Sequence, residues 1–175
     1  MKITKRILAL ALVLMLTLSL SAPAFADGTY KITQDFIAEV GTIDGFTCTV
    51  GDIITDSDGA SYEPVYLTYE GGDLSKYKSN ITALFSENRE DVQLYLYNLI
   101  NFDKANLSDV LAKLNDINAQ GTGVKLFADL SDNSVTAEMY MLTTPDSCLE
   151  IALTALGFMI GYTDSAFELL GDYAA

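Results

Sequence analysis

Along residues 92–97, apolar Val92, Leu94 and Leu96 alternate with Gln93, Tyr95 and Tyr97. That is the two-residue period of a strand with one face buried. The run Ile81 to Phe85 precedes it across Glu87-Asn88-Arg89-Glu90, so residues 81–85 and 92–100 predict a hairpin. Upstream, Phe36, Ile37 and Val40 share one side of a short helix that Thr33 opens and Gly41 stops. Aromatic and β-branched residues mark strands at 46–54 and 62–69, with Pro64 implying an edge or early position in the second. Asp44-Gly45, Asp56-Ser57-Asp58-Gly59 and Gly71-Gly72 punctuate these runs.

Downstream the period changes to that of a helix. Leu107, Val110, Leu111, Leu114 and Ile117 recur at helical spacing, after Asn106 as N-cap and before Gly121 as terminator. Asp109 and Lys113 stand four apart in the favoured acid-first order. Strands at 124–130 and 135–142 flank the turn Ser131-Asp132-Asn133-Ser134. Thr144 then caps a last helix with Pro145 at its first position.

No charged residue occurs from Ile151 to Thr163. A helix apolar nearly all round is expected to be buried nearly all round. Gly157 and Gly161 on it would let a neighbour approach, either within the chain or in a second copy. The order α-β-β-(β)-β-α-β-β-α, with short turns between adjacent strands, predicts an α+β fold: an antiparallel sheet with flanking helices.

The first 26 residues follow a different pattern. Lys2, Lys5 and Arg6 precede an uncharged stretch from Ile7 to Leu20, followed by Ser21-Ala22-Pro23-Ala24-Phe25-Ala26. A basic head, an apolar middle and a small-x-small end read as a secretory signal cut between Ala26 and Asp27. The apolar part is shorter than the roughly 20 residues a spanning helix needs. Residues 27–175 are then expected to form one secreted domain, periplasmic if the host has an outer membrane, with no stable membrane insertion of the mature chain.

Charge and composition narrow the function. The chain carries −14, and −17 once Lys2, Lys5 and Arg6 are removed. Nucleic-acid binding needs cationic groups to release counterions and is disfavoured. Solubility, or a cationic partner, suits such a surface. Half the residues are hydrophobic, and ten tyrosines and eight phenylalanines are too many for a solvated coil. Histidine is absent, which excludes Ser-His and Cys-His pairs and histidine-ligated zinc. After export, Cys48 and Cys148 could form a disulfide. It would close a loop of about 100 residues, worth roughly 4–5 kcal/mol in the chain-entropy model. Two buried apolar thiols are the equal alternative.

Acidic clusters are weak signals here. Asp52, Asp56, Asp58 and Glu63 suggest calcium, but taking Gly59 as the central glycine puts Ile54 and Val65 at ligand positions. A solvated turn is the better reading, and Asp132 and Asn133 read alike. Gly121-Thr122-Gly123 lacks the further residues of a phosphate loop. No cofactor or metal site is indicated. Tyr66, Tyr69, Tyr95 and Tyr97 lie on predicted strands. If Leu94 and Leu96 face the core, Tyr95 and Tyr97 face outward as a candidate partner surface, unless a helix covers them.

Residues 107–170 resemble the YbjN family, which shares the type III secretion chaperone-like fold. The resemblance rests on Leu114-Asn115-Asp116-Ile117-Asn118, Val124-Lys125-Leu126-Phe127-Ala128-Asp129, the hairpin into Val135-Thr136-Ala137-Glu138-Met139, and a closing apolar helix. It implies a small, acidic, non-enzymatic protein-binding or regulatory module, in a family whose chaperones dimerise. The leader departs from that pattern, so the fold and a binding habit carry over. The expectation is an exported, non-catalytic domain that binds an unknown protein or peptide, with a homodimer as a further possibility. The competing class is an exported hydrolase working with carboxylates alone.

Overall fold

A computed structural model describes residues 28–70, 80–121 and 123–175. The stretch read as a leader, with its expected Ala26–Asp27 junction, and the Gly71-Gly72 turn signal lie outside these residues. The order is helix α1 (Lys31–Val40), strands β1 (Phe46–Val50), β2 (Ile54–Thr55), β3 (Ser61–Tyr69), β4 (Asn80–Ser86) and β5 (Asp91–Asn101), helix α2 (Leu107–Asn118), strands β6 (Lys125–Asp129) and β7 (Ser134–Leu142), and helix α3 (Cys148–Leu170). The seven strands form one antiparallel sheet in the order β1-β3-β4-β5-β7-β6, with β2 also on β3. This is the expected α+β class.

Alternation sorts the two faces of the sheet. Leu67, Ile81, Leu94, Leu96, Ala137 and Leu126 point inward and join one buried cluster with Phe36 and Val40 of α1, Leu114 and Ile117 of α2, and Met159 of α3. Phe36 packs on Phe85 with ring centroids 4.8 Å apart. The three helices lie on this inner face: α1 against β1 and β3, α2 against β6, and α3 against β5 and β7. The C-terminal residues return to the end of β5, where Phe102 bridges Ala174 and Ala175 N–H donates to Asn101 O at 2.8 Å.

Local chemistry corrects several expected boundaries. Thr33 does not open α1; it is buried within the helix. Residues 46–54 are not one strand, because the chain leaves the sheet after Val50 and returns as β2. Pro64 is not on an edge, since β3 lies between β1 and β4. Its carbonyl accepts from Gly51 N–H at 2.9 Å, where β1 has already ended. The missing proline N–H thus falls in the gap between β1 and β2 and costs no ladder bond. Helix α2 ends at Asn118, and Gly121 follows with φ +68°. Helix α3 begins at Cys148 after a turn in which Thr144 and Ser147 hydroxyls bond at 2.8 Å. Asp109 and Lys113 form no ion pair; among the described residues Lys31 and Asp35 do.

Strand β5 carries a bulge. Leu96 pairs with Ala137 and Ile100 with Val135, so β5 advances four residues while β7 advances two. Asn98 absorbs the excess in a left-handed conformation, φ 54°. The shift restores the core phase beyond it, and Leu99 and Ile100 are both buried.

Of the two alternatives for Cys48 and Cys148, the structure has the second: both are free, buried thiols. Cys48 sits on the row Leu67–Ile81–Leu96, three strands from β5. Cys148 starts α3 near Arg89 and Asp91, at the far end of β5. Three strand spacings are about 14 Å, beyond the roughly 7 Å that a disulfide tolerates between Cα atoms.

Candidate functional site

The outer face of the sheet carries a polar row in register across six strands. Thr49 pairs with Tyr66, Tyr66 with Thr82, Thr82 with Tyr95, Tyr95 with Glu138, and Glu138 with Lys125. None of the three described helices lies over this face. Tyr97, beside the row, is 47% exposed, and Tyr66 and Tyr140 are exposed to a similar degree. The rings of Tyr95 and Tyr97 stack with centroids 5.6 Å apart and planes 10° from parallel. Tyr95 and Tyr97 therefore stand where the alternation placed them. Tyr69 turns to the other face and packs on Phe46, centroids 4.6 Å apart.

Hydrogen bonds hold these side chains in place. Tyr62 Oη donates to Asp91 Oδ2 at 3.3 Å, and Gln93 Nε2 donates to the same oxygen at 3.0 Å. Tyr95 Oη lies 3.1 Å from Gln93 Oε1 and 3.5 Å from Glu138 Oε1. Burial pushes the Tyr95 phenol up to about 12, with the Glu138 charge adding to it. Tyr62 and Tyr97 are raised too, first by burial and then by Asp91 and Glu138 respectively. All three remain neutral at ordinary pH, presenting flat, rigid rings with polar tips.

One end of this face opens into a depression of about 630 Å³ whose wall includes Tyr62, Ser86, Glu87, Glu90, Asp91 and Tyr140. Asp91 is 6% exposed and Ser86 8%. Sequence reading missed this site. Its members come from β3, the facing ends of β4 and β5 with the turn between them, and β7, and the pairings Tyr62 with Ser86 and Asp91 with Leu142 bring them together.

The acidic residues read as a turn separate into two roles. Asp56 Oδ1 accepts from the amides of Asp58 and Ala60, both at 2.9 Å, as expected of a solvated turn. Glu63 does not belong with it. It is buried on the inner face, where its carboxylate accepts from Thr29 N–H at 2.6 Å and Tyr30 N–H at 2.8 Å at the start of α1. Burial alone would raise its pKa, but those amide bonds outweigh burial and hold it below the usual range. Asp129 is also lowered, by the hydroxyl and amide of Ser131.

Helix α3 departs from expectation. It is not buried all round: Phe158 is 61% exposed. Shallow apolar troughs flank it, one of about 650 Å³ along Val124, Thr154, Gly157, Gly161 and Ser165. A side chain added at Gly157 or Gly161 would meet nothing within 4 Å. The glycine pair therefore serves no close approach among the described residues. No described helix is long and apolar enough to cross a membrane. Comparison with protein-family models and with curated proteins finds no match to this sequence.

Proposed function

We propose that this protein is an exported, non-catalytic domain that binds a protein or peptide across the tyrosine face of its sheet. The carrying observation is the stacked Tyr95–Tyr97 pair flanked by exposed Tyr66 and Tyr140, on the face opposite the helices. Tyrosine offers large contact area with few rotamers to freeze, which is why binding surfaces favour it. The resemblance of residues 107–170 to YbjN proteins is part of this reading. Among the described residues, the carboxyl groups displaced from their ordinary range, Glu63 and Asp129, both move downward. That direction suits ionised structural acceptors rather than the raised acid of a carboxylate hydrolase.

The test is selection of a random-peptide display library on the native protein. Enriched peptides should lose binding when Tyr66 and Tyr97 are both changed to Ala. Enrichment that survives the double change would reject this face.

Self-association through α3 is a second reading, favoured by Phe158 standing exposed beside the open trough at Gly157 and Gly161. Sedimentation at high micromolar concentration should show a dimer that Phe158→Glu dissociates. A monomer for the native chain would remove this reading.

A further inference from the structure

The depression at the Leu142 end of the tyrosine face combines three carboxylates, Glu87, Glu90 and Asp91, with the rings of Tyr62 and Tyr140. No lysine or arginine lines it among the described residues. Arg89, the cation of the same turn, is not among the lining residues; its charge acts on Cys148 at the start of α3, as does that of Asp91.

Two further observations point to an occupant. Ser86, more than nine-tenths buried on the pocket wall, has no hydrogen-bond partner for its Oγ. An unpaired buried hydroxyl is costly unless something fills its vacancy. Asp91 is equally buried, and the neutral donors Tyr62 and Gln93 both bond to its Oδ2. A desolvated carboxylate of this kind gains most from a cation brought into contact with it. Aromatic walls beside carboxylates form the environment that attracts ammonium and guanidinium groups by charge and by the ring quadrupole together. The net charge of −14 adds a long-range field of the same sign.

We propose that this depression is the specificity pocket of the tyrosine face and that it takes the lysine or arginine side chain of a bound peptide. This deepens the binding reading above and rests on it. The ammonium or guanidinium group sits among Glu87, Glu90 and Asp91, with Ser86 Oγ as a further acceptor. The aliphatic stem lies along Tyr62 and Tyr140, and the flanking peptide runs toward Tyr95 and Tyr97.

The test is a fluorescence-anisotropy titration of the native protein at physiological salt with labelled hexalysine, hexaarginine and hexaserine. The basic peptides should bind at least about tenfold more tightly than hexaserine. Because any polycation is drawn to an acidic protein, the deciding comparison is between two double variants of equal net charge. E87Q/E90Q alters exposed residues at the pocket rim and should weaken hexalysine about tenfold, the effect of two partly exposed ion pairs. D116N/D132N, on α2 and in the far β6–β7 turn, should change it less than about twofold. Equal losses in both variants would show a diffuse field and overturn the pocket. So would hexaserine binding as tightly as hexalysine, and in that case loss of binding on changing Tyr66 and Tyr97 to Ala would leave the tyrosine face standing without it. Hexalysine binding that E87Q/E90Q weakens but the tyrosine changes do not would support the pocket and reject the wider face. If none of the peptides binds, the pocket falls, and the display selection decides the tyrosine face separately.

Discussion

Glu63 Oε2 accepts the backbone N–H of Tyr30 at 2.8 Å, joining the early part of β3 to the N-cap of α1. A buried carboxylate at a helix N-terminus meets unpaired amide donors and the positive end of the helix dipole at once. The contact fixes where α1 lands on the sheet, and with it the position of Phe36 against Phe85.

Glu63→Gln keeps the shape but removes the charge. It should destabilise the fold by about 1–3 kcal/mol at neutral pH, read as a lower urea midpoint. The sign of the pH dependence follows from the lowered pKa of Glu63. The contribution is fully present above the unfolded carboxyl value of about 4.3 and is lost as pH falls through the folded value. Native and variant curves should therefore converge under acid. A gap that stays constant down to pH 2 would show that charge is not the cause.

Asn118 closes the open edge of β6. Its Nδ2 donates to Leu126 O at 2.7 Å and its Oδ1 accepts from Leu126 N–H at 2.9 Å, so one side chain supplies both bonds of a missing strand partner. Asn118→Ala should cost about 1–3 kcal/mol by urea denaturation and increase aggregation through the uncovered edge. Unchanged stability would mean water replaces the amide without loss.

The bulge at Asn98 predicts a backbone effect. Asn98→Gly should be tolerated, whereas Asn98→Val should cost about 1–2 kcal/mol, because a β-branched residue resists positive φ. Thermal melts of the two variants that coincide would contradict the left-handed assignment.

The thiols predict a chemical signature. Burial raises Cys48 to about 11 and also raises Cys148, so native protein at pH 8 should react slowly with a disulfide reagent. Denatured without reductant, it should yield two thiols. A yield of none would show the bridge that the structure lacks.

Much of this architecture was legible in the order of residues. Alternation at Val92 to Tyr97 placed Leu94 and Leu96 in the core and Tyr95 and Tyr97 outside it. The helical spacing of Val110, Leu114 and Ile117 identified the buried side of α2, although Leu111, on the same pattern, emerges exposed. These are local properties, set by periods of two and 3.6 residues within one element. Asn118 fell within the stretch that carried the family resemblance, yet its task depends on Leu126 across a turn.

What the chain could not disclose by itself is register and company. Glu63 looked like one more acid near a turn, and only the landing of α1 on β3 made it a buried anchor. The fully apolar stretch of α3 seemed to demand burial on every side, but the inner face of the sheet covers part of its circumference and leaves Phe158 outside. Tyr62, Ser86, Asp91 and Tyr140 lie up to 78 residues apart in sequence and meet through strand pairing. Periodicity belongs to residue order, and charge and the missing histidines to composition, so the sequence alone determined the fold class and the side of the strand on which Tyr95 and Tyr97 fall, while the tertiary structure decided that no described helix covers them. Which distant groups share a pocket depends on hydrogen bonds between strands, whose register is chosen jointly by the whole core, and that was left to the tertiary structure.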